Sequence, residues 1–260
     1  MRGRGGILRL LIGVAVVLFG VVKYCASGET NPYTGETQFI DISPKEEIAM
    51  GLQSVPAMIQ EYGGLYSDEG AQALVDKVGQ QLVSTTVARE TPYQYDFHLL
   101  ADPNTINAFA LPGGQCFITY ALFSKLKSED QLAGILGHEI GHVIGRHSAE
   151  RIAKQGLTNS IITGVAVGSD SPAAAQSAAA ISSMINMKYG REDELESDDL
   201  GVRFMIKAGY NPEEMIEVMQ ILKQAAGPNR TPEFQSTHPD PENRIEKIRE
   251  SIAYYQGETY

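Results

Sequence analysis

The chain has 260 residues, 43% hydrophobic and 20% charged, with a net charge of −11. That composition is globular and leaves room for one domain of about 200 residues plus an N-terminal extension, while the acidic balance argues against binding nucleic acid or an anionic membrane face. The two cysteines, Cys25 and Cys116, form no CxxC pair, which excludes a structural zinc knot and leaves at most one Cys25–Cys116 disulfide.

Residues 1–27 read as a signal peptide or an N-terminal membrane anchor. Arg2, Arg4 and Arg9 give a positive start, and Leu10 to Val22 is an uninterrupted run of 13 apolar or glycine residues closed by Lys23. The run suits a signal core and is short for a span of ~20 residues unless Arg9 and Lys23 snorkel. Either way the positive-inside rule places the rest outside the cytoplasm, in the periplasm or cell envelope. Val22-Lys23-Tyr24 before Cys25 is a poor lipid-attachment context, which calls for small residues. Without residues 1–27 the chain keeps 17 basic against 32 acidic residues, a net −15.

Residues 28–43 read as a linker or surface strand, and 44–260 as a single domain. Ser43 as N-cap, Pro44 in the first turn and acids behind it start a helix that runs to about Tyr62, with Pro56 as a kink. A second helix spans Asp68 to about Val87. Three strands follow: Tyr95–Leu100, Ile106–Leu111 and Gln115–Tyr120, the last two joined by Pro112-Gly113-Gly114 into a hairpin. An edge at Gly113 and Gly114 would hold an extended peptide by β-augmentation. His98 reads as structural.

Ser128 and Gln131 make a capping box for the next helix, whose apolar run Gln131–Ile144 contains His138-Glu139-Ile140-Gly141-His142. This is HExxH. Four residues apart on a helix, His138 and His142 lie about 40° apart in azimuth and roughly 6 Å apart in rise, so both imidazoles reach one metal. The motif is the signature of zinc-dependent proteases, with Glu139 placed to take a proton from water. His147 follows His142 by five residues, about 140° round a continuing helix, and so stays out of that site.

Residues 157–187 read as Ala-rich helices around a mobile Ser/Asp/Pro segment near 169–172: packing, a disordered loop or a lid over the cleft. Next, Arg191 to Asp199 is an acidic run opening an apolar-periodic helix. There Glu194 and Asp198 share a face, which makes Glu194 the candidate third ligand and Asp198 an acceptor for a ligand histidine. Glu192 and Glu196 are expected to point elsewhere. Another helix covers Pro212 to about Ala226, then Gly227–Thr237 is a loop. Ser236-Thr237-His238-Pro239-Asp240-Pro241 is rigid and extended, and Arg244 opens the last helix. His238 fits an oxyanion donor, a fourth zinc ligand in a resting state, or a turn histidine.

Taken together, the chain resembles the HtpX/BepA/LoiP-type zinc metalloproteases, the family that also holds the CAAX prenyl protease. The matching pieces are Asn107 to Gly114, His138–His142 with Arg146-His147, Glu194-x-x-Ser197-Asp198, and Ser236–Pro239 with Arg244. Ser197 stands where the family usually has Ala. Asn31-Pro32-x-Thr34-Gly35 with Gln38 looks like the periplasmic single-domain branch, and no tetratricopeptide extension is expected.

The resemblance implies an α+β fold: a mostly helical, zincin-like metalloprotease domain with a small β-sheet beside the HExxH helix. It implies one zinc on His138, His142 and Glu194, Glu139 as base, Asp198 as supporting carboxylate, and His238 and Arg244 at the site's border, with His238 closing a latent form. The implied role is cleavage of unfolded or misassembled envelope proteins. Membrane contact runs through the N-terminal segment if it is retained. The alternative is a chaperone-like binder of the same proteins with little turnover.

Overall fold

Ser43 accepts a hydrogen bond from the Glu46 amide while Glu46 reaches back to the Ser43 N–H, a reciprocal cap that starts α2 (Pro44–Glu61). Asp68 caps α3 (Glu69–Thr85) by accepting from the Gly70 and Ala71 amides. Pro56 lies inside α2 without ending it. These elements belong to a computed structural model that describes residues 4–169, 189–225, 233–238 and 243–257. The chain divides into two compact units, one within residues 1–42 and 148–188, the other within 43–147 and 189–260.

In the first unit, α1 (Arg4–Ala26) contains an apolar window, Gly6–Ala26, long enough to cross a membrane by length and composition. Of the two options for 28–43, linker or surface strand, strands form: β1 (Gly28–Thr30) pairs antiparallel with β2 (Thr37–Phe39), and Asn31 Oδ1 accepts from the Tyr33 and Thr34 amides in the turn. Lys23 Nζ closes on Asp41 at 2.6 Å. The body of α6 (His147–Ser169) also lies here, ten residues longer at its start than its Ala-rich portion suggested. The lid reading of the later Ala-rich stretch falls largely on 170–188, outside the described residues.

The second unit holds a three-stranded sheet in the order β3-β5-β4: β3 (Asp96–Leu100), β4 (Ala108–Ala110) and β5 (Gln115–Thr119). The expected hairpin is β4 with β5, antiparallel, and β3 joins the far side of β5 in parallel. His98 stacks on Phe117 and bonds Gln115, a structural role. Short α4 (Tyr120–Phe123) leads to α5 (Glu129–Ile144), capped by Ser128. Beyond residue 188 come α7 (Arg191–Ala208), α8 (Glu214–Ala225), α9 (Glu233–Thr237) and α10 (Arg244–Gly257). The core is built from Val75, Val78 and Leu82 of α3, Phe97 and Leu99 of β3, Leu132, Ile135 and Leu136 of α5, and Val202, Phe204 and Met205 of α7, all buried.

The pairing that matters most is α5 on α7. A Cβ at Gly141 would lie 3.0 Å from Ser197 Cα and O, and one at Gly137 would lie 3.3 Å from Gly201 Cα. Small residues on both helices let the backbones approach closely enough to bring HExxH against the Glu194 face. Both cysteines are free thiols, Cys116 buried and Cys25 exposed, so the Cys25–Cys116 bridge does not form.

Candidate metal centre

His138 and His142 project from one face of α5, and their Nε2 atoms lie 3.0 Å apart. Glu194, in the first turn of α7, sets Oε2 3.5 Å from His138 Nε2 and Oε1 3.5 Å from His142 Nε2. His238 enters from the end of α9, where its amide donates to Phe234 O at 2.7 Å. The expected extended run is therefore helical just before His238. Its Nδ1 is 3.0 Å from Glu194 Oε1 and 3.3 Å from His138 Nε2. One ligand atom from each of these four side chains falls within 4.8 Å of every other. All four residues, and Glu139 beside them, are at most 2% exposed, a closed site.

Charge compensation surrounds this cluster. Asp198 Oδ1 accepts from His138 Nδ1 at 2.9 Å, while Arg244 donates to both Asp198 oxygens at 2.6 and 2.9 Å and approaches Glu194 Oε2 at 3.3 Å. Burial raises the Asp198 carboxyl, but Arg244 and His138 outweigh it and the net shift is downward. Glu194 follows the same logic: burial pushes it up, the charges and hydrogen bonds of His238 and His142 push harder, and it stays well below the usual range. Burial dominates at Glu139 and raises its pKa, and burial lowers that of His142 well below the usual value. At His238 burial lowers the pKa, yet the facing carboxylates of Glu194 and Glu139 bring the net shift upward.

The donor set fits a divalent cation. Asp198, ionised, only accepts, so His138 Nδ1 carries the proton and its Nε2 lone pair faces His142 Nε2. Two imidazole nitrogens and a carboxylate oxygen converging in a buried pocket form the usual protein ligand set of a catalytic zinc. Among the described residues, Glu194 Oε2, both oxygens of Glu139 and His238 Nε2 have no hydrogen-bond partner, which is costly for buried polar atoms unless something else satisfies them.

Two readings of the sequence need correction. Gly113 and Gly114 are buried: a Cβ on Gly113 would lie 2.4 Å from Ile48 Cα, and one on Gly114 2.9 Å from Gln94 O. Their carbonyls accept from Gln94 and Asp96 amides, so these glycines present no edge. In the three-stranded sheet the outer strands are β3 and β4, and the outer side of β3 is taken by Tyr66 and Gln72, which bond the backbone of Phe97 and Leu99. The second correction concerns His147, expected to stay apart. The α5 helix stops at Gly145, Arg146 turns left-handed at φ 55°, and His147 swings back to put Nδ1 2.8 Å from His142 Nδ1. Glu196, expected to point elsewhere, accepts from His147 Nε2 at 2.9 Å. Gly145 right after the apolar run is the signal that marks this helix stop. Tyr189 and Phe234 were also missed: Tyr189 stacks on His142 at 4.1 Å and Phe234 on His238 at 4.5 Å.

Residues 70–252 match Peptidase family M48. The chain belongs to peptidase family M48. It is therefore a metalloendopeptidase by family. Among similar curated proteins, the mitochondrial metalloendopeptidase OMA1 of Schizosaccharomyces pombe is 30% identical over 239 residues, covering 91% of this chain and 70% of that protein. The beta-barrel assembly-enhancing protease of Escherichia coli K12 is 29% identical over 248 residues, 91% of this M48 chain and 50% of the relative. OMA1 of Saccharomyces cerevisiae is 30% identical over 161 residues, covering 60% of the chain and 46% of that protein. The M48 chain thus spans about half the length of several of these relatives.

Proposed function

We propose that this M48 protein is a zinc endopeptidase that cleaves unfolded or misassembled cell-envelope proteins and is held latent by His238. The observation that carries the reading is the buried convergence of His138, His142, Glu194 and His238 beside a Glu139 whose carboxylate oxygens have no hydrogen-bond partner among the described residues. His138, His142 and Glu194 would hold one zinc per chain. When bound, zinc supplies Lewis acidity, polarising the scissile carbonyl and acidifying water.

The chain's own groups do the rest. Glu139 takes the proton of the attacking water at its free carboxylate and delivers it to the leaving amine nitrogen. Burial raises its pKa, which makes the carboxylate a stronger base for that first transfer. Asp198 fixes the tautomer of His138, and Arg244 holds Asp198 in place. In an opened site, His238 or Arg244 donates to the developing oxyanion, a contribution of about 3 kcal/mol in comparable sites. An extended substrate strand pairs with β4. The apolar α1 and the name of the bacterial relatives support the envelope as the place of action, with membrane contact through residues 1–27.

The closed site favours latency, and it also keeps open a holdase that rarely cuts. Zinc-loaded wild type, Glu139→Gln and His238→Ala are compared for retention and cleavage of a labelled unfolded protein. Glu139→Gln is expected to lose about 10²–10⁴ in rate, and His238→Ala to cleave faster than wild type with Arg244 left as the oxyanion donor. Wild-type rates in Glu139→Gln would overturn the mechanism. Unchanged binding with no cleavage from His238→Ala would favour the holdase.

A further inference from the structure

We propose that His147 and Glu196 are positioning residues that fix the protonation and aim of His142, completing on this ligand what Asp198 does for His138. The proposal rests on the zinc reading above. Its basis is a three-member chain of short contacts: Glu196 Oε2 to His147 Nε2 at 2.9 Å, then His147 Nδ1 to His142 Nδ1 at 2.8 Å.

Proton accounting gives the chain a direction. A carboxylate only accepts, so Glu196 requires a proton on His147 Nε2. A neutral His147 then carries a lone pair on Nδ1, which accepts from His142 Nδ1–H. His142 is left with its lone pair on Nε2, the atom that faces His138 Nε2 at 3.0 Å and Glu194 at 3.5 Å. The opposite tautomer would put a proton on His142 Nε2 and remove it from the ligand set. Ser197 Oγ, 3.4 Å from His147 Nδ1, is the weaker competitor for that lone pair.

The backbone is shaped for this contact. Arg146 adopts φ 55°, in the left-handed region that non-glycine residues rarely enter. Glu47 Oε1 anchors it by accepting from Arg146 Nε at 2.8 Å and Nη2 at 2.6 Å, all buried. Gly145 is required beside it: a Cβ there would sit 2.4 Å from His147 Nε2. Helix stop, left-handed residue and bare glycine together return a side chain that the helical period would carry away.

Zinc affinity is measured by competition with a chromophoric chelator, together with the urea midpoint of each metal-free protein and the visible spectrum of its cobalt-substituted form. His147→Leu and Glu196→Leu are each expected to bind zinc about 10–100-fold more weakly and to shift the cobalt bands. His147→Asn places an amide oxygen where Nδ1 stood and is expected to recover most of the affinity. Wild-type affinity in His147→Leu overturns the proposal, as does an Asn variant as weak as the Leu variant at equal metal-free stability. If His147→Leu does not fold, the partly exposed Glu196 carries the test, and an unchanged affinity in Glu196→Leu overturns it. Wild type that binds no zinc would defeat the underlying zinc reading instead.

Discussion

Asp198 is held between an imidazole and a guanidinium, and its ionisation is tied to both. Its folded pKa lies below the ordinary value. A depressed carboxyl stabilises the fold above its unfolded pKa, about 3.9, and that stabilisation is lost as pH falls through the folded value. Removing one partner of a buried pair typically costs about 3–5 kcal/mol. In the metal-free protein, Asp198→Asn should therefore lower the urea midpoint most at neutral pH, and the gap to wild type should close below about pH 4. A gap that stays constant down to pH 3 would contradict the account. At this scale helical spacing pairs His138 with His142 and Glu194 with Asp198, while the meeting of the two faces is what the family resemblance implies. Glu196 was not legible: its spacing does turn it away from the metal face, and its partner is brought there by one left-handed residue, Arg146, that no periodicity predicts.

Among the elements, α5 and α7 carry the site, and their separation is set by Gly141 against Ser197 and Gly137 against Gly201. Gly141→Val drives a branched side chain into the Ser197 backbone, an overpacking that typically costs about 1–3 kcal/mol. It is expected to spread the helices and weaken zinc binding sharply. Ser128→Ala is the control: losing this N-cap costs about 1 kcal/mol and should leave zinc affinity as it is. Equal zinc affinities for the two variants would show that helix spacing does not build the site. The long capped helices and the β4–β5 hairpin were readable because caps, period and turn residues agree. The early start of α6, the turn of α9 before His238 and the parallel addition of β3 were not, since each depends on tertiary neighbours.

For the whole molecule, the candidate site draws only on the unit within residues 43–147 and 189–260, and α1 supplies an apolar segment of membrane-spanning length. The burial and charge balance of that centre are what support the proposed latency. The supposition that unites every scale is that two helices deliver two rings and a carboxylate to one zinc. Elemental analysis of dialysed wild type and Glu194→Ala tests it most directly. The account predicts about one zinc per chain in wild type, as in catalytic sites with three protein ligands, and a clear loss in Glu194→Ala. Full zinc retention by Glu194→Ala would contradict it.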